Sequence, residues 1–167
     1  MADYNIPALK KLRATIVAAA KAGTHDQASW GKLSRDDMDN ADKIESGTYY
    51  GEPVKWLTAS CPTTACAAGW TVVNSGAQLA FKEELLNLRV DGSIVTDYCV
   101  LPNKSVRNVK DYATEILGLG WSEADELFFT CKTSDEVIKL IDEILRADAH
   151  KKDLYEWRLQ YSPTTTM

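Results

Sequence analysis

Apolar positions recur every three to four residues from Ile6 to Ala22. Leu9, Leu12, Ile16 and Ala19 or Ala20 fall on one face, the spacing of an amphipathic helix. Pro7 suits the first turn, where a missing N–H costs nothing, and Gly23 is a natural stop. The same periodicity returns late in the chain. Ser105 can cap a helix over 106–117, with Val106, Val109, Ala113, Ile116 and Leu117 on one face and Gly118 as its end. Ser122 opens the next helix, "SEADELFF", whose first-turn acids the helix dipole favours. Thr133 and Glu136 make a capping-box pattern for a helix over 134–147 that buries Val137, Ile138, Ile141, Ile144 and Leu145. A last helical piece, 151–161, places Leu154, Trp157 and Tyr161 on one side, and 162–167 reads as a disordered tail.

The middle of the chain is less regular. Residues 24–60 are polar and poor in periodicity, and read as a long ordered loop or a short helix with loops. They nevertheless carry Trp30, Tyr49, Tyr50 and Trp56, which a disordered linker would avoid. These rings are expected to fold back onto the core or to line a cleft. Residues 63–81 predict a second helix, capped by Thr63 or Thr64 after Pro62 and weakened or ended by Gly76. Asp91-Gly92 between short apolar stretches predicts a β-hairpin near 88–96. The pattern as a whole predicts a mainly α fold: a single compact domain over residues 1–161, with five to six helices and one short hairpin.

Composition narrows the class. Of 167 residues, 45% are apolar and 26% charged, the balance of an ordinary globular domain. No apolar run approaches the ~18 residues of a membrane span, and the N-terminal pattern is unlike a signal peptide because bases interrupt it. A cytoplasmic protein with no membrane partner is expected, in which the four cysteines are thiols or ligands before they are disulfides. The net charge is −5. Residues 122–148, with eight acids and three bases, account for all of it. A nucleic-acid partner is not expected, because such binders show a basic footprint. Here only the first helix is locally basic, through Lys10, Lys11, Arg13 and Lys21, which suits a solvated face. Homo-oligomerisation stays open at this stage.

The phosphate-loop, dinucleotide-binding and zinc-protease motifs are all absent, and His25 and His150 stand near no carboxylate motif. What remains is "SCPTTACAAGW", residues 60–70, and it has four readings. Cys61 and Cys66 lie at a loose zinc-pair spacing, with Cys99, Cys131 or a histidine as partners. Either thiol at a helix start could be a nucleophile, since the dipole favours thiolate, although a base is wanting. The free N–H groups of a helix start, with the Thr63 and Thr64 hydroxyls, could cradle a phosphate while Tyr49, Tyr50, Trp56 and Trp70 stack a base. The fourth reading is structural: small residues admit a second backbone, the cysteines are small buried groups and Trp70 anchors the core.

"CPTTACAAGW" resembles a motif of small proteins of actinobacterial phages and prophages, Cys-Gly-Thr-x-Ala-Cys-x-Ala-Gly-Trp/His. These also carry a downstream "LLGL…EA…LF" segment, matched here by "ILGLGWSEADELFF" at 116–129. The resemblance covers about 61–73 and 113–129, with a similar first helix. It departs at Pro62, where the family has glycine and where proline fixes φ near −65°. It implies a phage setting and a bacterial host cytoplasm, and it carries no catalytic residue. The function expected is that of a non-enzymatic accessory protein that binds or sequesters a host component. That component is a host protein or a phosphate-bearing nucleotide signal held at Thr63, Thr64, Cys66, Trp70, Tyr49, Tyr50 and Trp56, without a cofactor. The alternatives are a cysteine-dependent enzyme using Cys61 or Cys66, and a structural zinc module.

Overall fold

The computed structural model describes residues 3–161 apart from 39–41, 50–51, 60–61, 83–86 and 89; for 42–49, 52–56, 82, 87–88 and 161 it describes the backbone alone. The tail 162–167 lies outside the described residues. Helix α1, Ile6–Ala22, begins at Asn5, whose side chain accepts the Ala8 N–H at 3.2 Å, and ends at Gly23 as its sequence predicts. Leu9, Leu12, Ile16 and Ala19 are its buried face. They pack with α3 (Ala67–Asn74), α4 (Val109–Leu117) and α6 (Ser134–Tyr161) around one apolar cluster.

The fold is mainly helical, with two small antiparallel sheets rather than one hairpin. The hairpin foreseen near Asp91-Gly92 is present as β5 (Asn87–Leu88) and β6 (Ile94–Thr96), and β1 (Gly31–Leu33) completes its three-stranded sheet. The second sheet runs β2 (Asp42–Tyr49), β3 (Glu52–Ala59), β4 (Gln78–Lys82), β7 (Tyr98–Val100) and β8 (Val106–Asn108). Residues 24–60 are therefore not a long loop. They carry three strands and the short helix α2, Arg35–Met38. Their strands lacked a readable alternation for a physical reason: Leu57, Thr58 and Ala59 in β3 are all buried, so both faces are covered.

Two helix boundaries also move. The helix expected over 63–81 spans only Ala67–Asn74. Thr63 and Thr64 lie before it in extended backbone, and the chain turns at Gly76 into β4, where Leu79, Ala80 and Phe81 are buried in succession. That apolar run reads equally well as helix. The helix expected over 106–117 begins three residues later, at Val109, because Val106–Asn108 pairs with β7. Asn108 is the cap, accepting the Asp111 N–H at 3.3 Å. The two pieces foreseen at 134–147 and 151–161 are one helix of 28 residues, α6. At its start Thr133 accepts the Glu136 N–H at 3.2 Å, while the Glu136 carboxylate takes the Lys132 N–H at 2.6 Å. Among the described residues no helix is long and apolar enough to cross a membrane.

Gly118 ends α4 with φ +68°, and a Cβ there would overlap the Asp3 carbonyl oxygen. Only glycine meets both demands. Its position lets the N-terminal segment seat beside α4, where the Asn5 N–H reaches the Leu117 carbonyl at 3.0 Å.

In the turn after β5, Asp91 accepts the Ser93 hydroxyl at 2.6 Å and its N–H at 2.9 Å, with Lys32 at 3.6 Å. These bonds, and the Lys32 charge, hold the Asp91 carboxyl down at about 2. A carboxyl depressed on folding stabilises the fold above its unfolded pKa, and that contribution disappears as pH falls through the folded value. Between pH 4 and pH 2 the wild type should lose a component of stability that Asp91→Asn does not lose, read by urea unfolding at each pH.

Candidate binding site

The site begins at a close backbone contact. A Cβ on Gly69 would overlap the Trp30 carbonyl oxygen, so the chain at 29–31 rests directly on the first turn of α3. The Cys66 N–H reaches the Ser29 carbonyl at 2.8 Å, and the Lys32 N–H reaches the Thr64 carbonyl at 2.9 Å. The small residues Ala65, Ala67 and Ala68 are completely buried beneath this contact.

Gln27 secures the same segment from the other side. Its Oε1 accepts the Ala67 N–H at 3.1 Å, and its Nε2 donates to the Leu127 carbonyl at 2.8 Å. With the amide fixed that way round, the His25 Nε2 at 2.7 Å from Oε1 must donate. His25 Nδ1 then accepts from the Ser134 hydroxyl at 2.6 Å. Gln27 thus joins the start of α3 to the segment after α5 (Trp121–Asp125), and His25 extends the link to the start of α6.

That segment, Glu126–Thr130, is a π-helical turn closed by a Cys131 N–H bond to the Glu126 carbonyl at 3.0 Å. Such turns are rare and gather at functional sites. It buries Leu127 and Phe128 but leaves Phe129 47% exposed. Both phenyl rings meet Trp30 edge to face, at centroid distances of 6.1 Å for Phe128 and 5.2 Å for Phe129. Gln27, Ala28, Ser29, Trp30, Phe128, Phe129 and Lys132 line an open cavity of about 190 Å³. Beside it, the Lys110 ammonium lies 4.7 Å from the Phe129 ring centroid and 5.8 Å from that of Trp121, which is 68% exposed. Lys110 is held there by Asp125 at 2.7 Å.

The residues singled out from the sequence take other places. Thr63 accepts the Ser34 N–H at 2.8 Å and donates to Asp37, and its own N–H goes to the Lys32 carbonyl. The Thr64 hydroxyl is buried with no hydrogen-bond partner among the described residues. The Ala67 N–H, at the start of α3, is taken by Gln27. Trp70 donates its indole N–H to the Thr24 carbonyl at 3.2 Å and packs against the core. Trp56 pairs in β3 with Ile44 and Lys82, and Tyr49 pairs in β2 with Glu52; their side chains, with all of Tyr50 and Cys61, lie outside the described residues. Among the described side chains of the 24–60 stretch, the Trp30 ring lines the cleft. Phe128, Phe129, Lys110 and Lys132 were missed, although a Phe-Phe pair seven residues after Trp121 was a visible signal.

Among the described residues the thiols of Cys66, Cys99 and Cys131 are poorly suited to nucleophilic work. Burial pushes the Cys66 thiol up to about 12, against an opposing pull from the Gly69 and Ala68 N–H groups. Burial likewise raises Cys99 to about 11, and burial with nearby acids raises Cys131. Among the described residues no three His, Cys, Asp or Glu side chains stand together as a metal would require.

Two outcomes are expected. Gly69→Ala forces the Trp30 carbonyl off α3 and should cost about 3 kcal/mol or more, read by urea denaturation. Cys66 should resist iodoacetamide at pH 8 in the native protein and react once it is unfolded, read by peptide mass spectrometry. Comparison with family models, with curated proteins and with solved structures returns no match for this chain.

Proposed function

We propose that the protein is a non-enzymatic binding protein of the phage-accessory kind, and that the cleft between Trp30 and Phe129 receives a small planar ligand bearing phosphate. The observation that supports this reading is the meeting of three rings and a lysine at an open cavity, with Trp30 held by backbone contacts on both sides. The cavity, at about 190 Å³, is below the ~300 Å³ of common ligand pockets. It admits one ring system and leaves the charged remainder outside, beside Lys132. The Gln27 amide is already engaged on both of its atoms. Recognition therefore rests on stacking and charge rather than on reading a base edge, which makes the site tolerant of which base it holds.

A host protein is the second reading, and a separate observation favours it. Trp121 and Phe129 remain exposed around Lys110, and exposed aromatic residues with a cation are typical of protein contact surfaces.

Titration with nucleoside monophosphates and cyclic dinucleotides by calorimetry decides between them. Stacking contributes ~1–3 kcal/mol per base, so Phe129→Ala should weaken nucleotide binding roughly tenfold. Lys132→Glu should weaken it further at low salt, and Thr63→Val should leave it unchanged. Absence of heat with every nucleotide at millimolar concentration would remove the nucleotide reading. Loss of a host-protein complex in Trp121→Ala would then support the second.

A further inference from the structure

Helix α6 is longer than the body that supports it. Arg13 bonds Asp142 at 2.7 and 3.1 Å, and the Lys151 ammonium lies 5.8 Å from the Tyr4 ring centroid. These two contacts fix α1 and α6 as antiparallel neighbours and place the start of α1 beside Lys151. Residues 152–161 of α6 then run on past α1 for about 15 Å, at 1.5 Å per residue.

The overhang is rich in apolar side chains. Leu154, Tyr155, Trp157 and Leu159 keep 44–68% of their surface exposed. A helical stretch this short is marginal in water without tertiary packing, and clustered exposed apolar residues mark an interface.

Helical spacing shows which face is open along the whole of α6. Val137, Ile141 and Ile144 form the stripe buried against the body. On a face about 120° around the helix from that stripe, at 3.6 residues per turn, Glu136, Glu143, Ala147, His150, Leu154 and Trp157 recur at steps of three, four or seven, and all are exposed. Asp142, held by Arg13, and Asp148, which pairs with Lys152, lie toward the body. The charges left on and beside the open face are Asp135, Glu136 and Glu143 with Lys139 and Arg146 in the first half, and Lys151 and Arg158 with Asp153 and Glu156 in the second.

We propose that this face pairs antiparallel with the same face of a second copy, about a two-fold axis near His150. In that register Leu154 of one copy meets Ala147 of the other, and Asp153 meets Arg146, each contact occurring twice. Arg158 comes near Glu143 of the second copy, so charges of opposite sign meet at both pairs. Antiparallel helix dipoles add to the attraction. A parallel pair would set Glu143 against Glu143 and Arg146 against Lys151, and so is disfavoured. The overlap buries on the order of 1,000 Å² in all, the low end for a specific interface, which fits a dimer of micromolar dissociation constant.

Sedimentation velocity of the full chain from 5 to 500 µM tests this, with circular dichroism to confirm that each variant keeps its helix content. The wild type should pass from monomer to dimer across that range. Leu154→Asp should remain monomeric throughout. Arg146→Asp and Asp153→Arg should each weaken the dimer at least tenfold by setting like charges together, and the double variant should restore it. A wild type that is monomeric at 500 µM overturns the proposal. So does a double variant that is no stronger than the two single ones, because the antiparallel register requires the reciprocal rescue.

Discussion

The architecture around the cleft depends on one close approach, the Trp30 carbonyl lying on Gly69. Nothing larger than a hydrogen fits on that face of α3. Because the backbone at 29–31 can descend so far, Cys66 and Thr64 can bond it, and β1 can leave in the direction that pairs it with β6. The indole is thereby set against the π-helical turn, whose first residue, Glu126, lies 57 residues beyond Gly69 in sequence. The small side chains of "ACAAG" are the means of this approach. Cys66 acts there as a compact apolar group, and its raised pKa is a consequence of the same burial.

Gln27 is the second fastening. It bonds α3 and the carbonyl of Leu127 through one rigid amide, and its engagement with His25 extends the network to Ser134 at the head of α6. The two segments that carry the sequence resemblance, near 61–73 and 113–129, are therefore neighbours in space, joined by residues 25–30, which lie outside both. On this account the small and apolar residues of those two segments maintain a scaffold. The exposed rings and lysines of the cleft stand on that scaffold's rim, where side chains are free to vary without loss of packing.

Much of the helical frame was legible because periodicity and end signals agree there: α1 with Pro7 in its first turn and its Gly23 stop, α4 ending at Gly118, and α6 opening at Thr133. The sheets were obscured by residues buried on both faces. Leu57–Ala59 and Leu79–Phe81 show no alternation, and a short apolar run does not separate strand from helix. Thr63 and Thr64 looked like helix caps because they follow Pro62. They are bridged instead to Lys32, a partner that no local rule supplies. The structural reading of "SCPTTACAAGW" fits its described residues well: two backbones in contact over small side chains. The anion cradle fits less well, because the chain's own groups fill the start of α3. The π-helical turn had no sequence signature, since it depends on how Leu127 is held by Gln27.

The most direct measurement is a nuclear magnetic resonance titration of the tryptophan indole N–H signals with adenosine monophosphate. Trp70 serves as an internal control, because its N–H is bonded inside the fold to Thr24. The account predicts a saturable shift of the Trp30 signal with that of Trp70 unmoved. A Trp30 signal that stays fixed while the Trp70 signal shifts would contradict it and return the ligand to the start of α3.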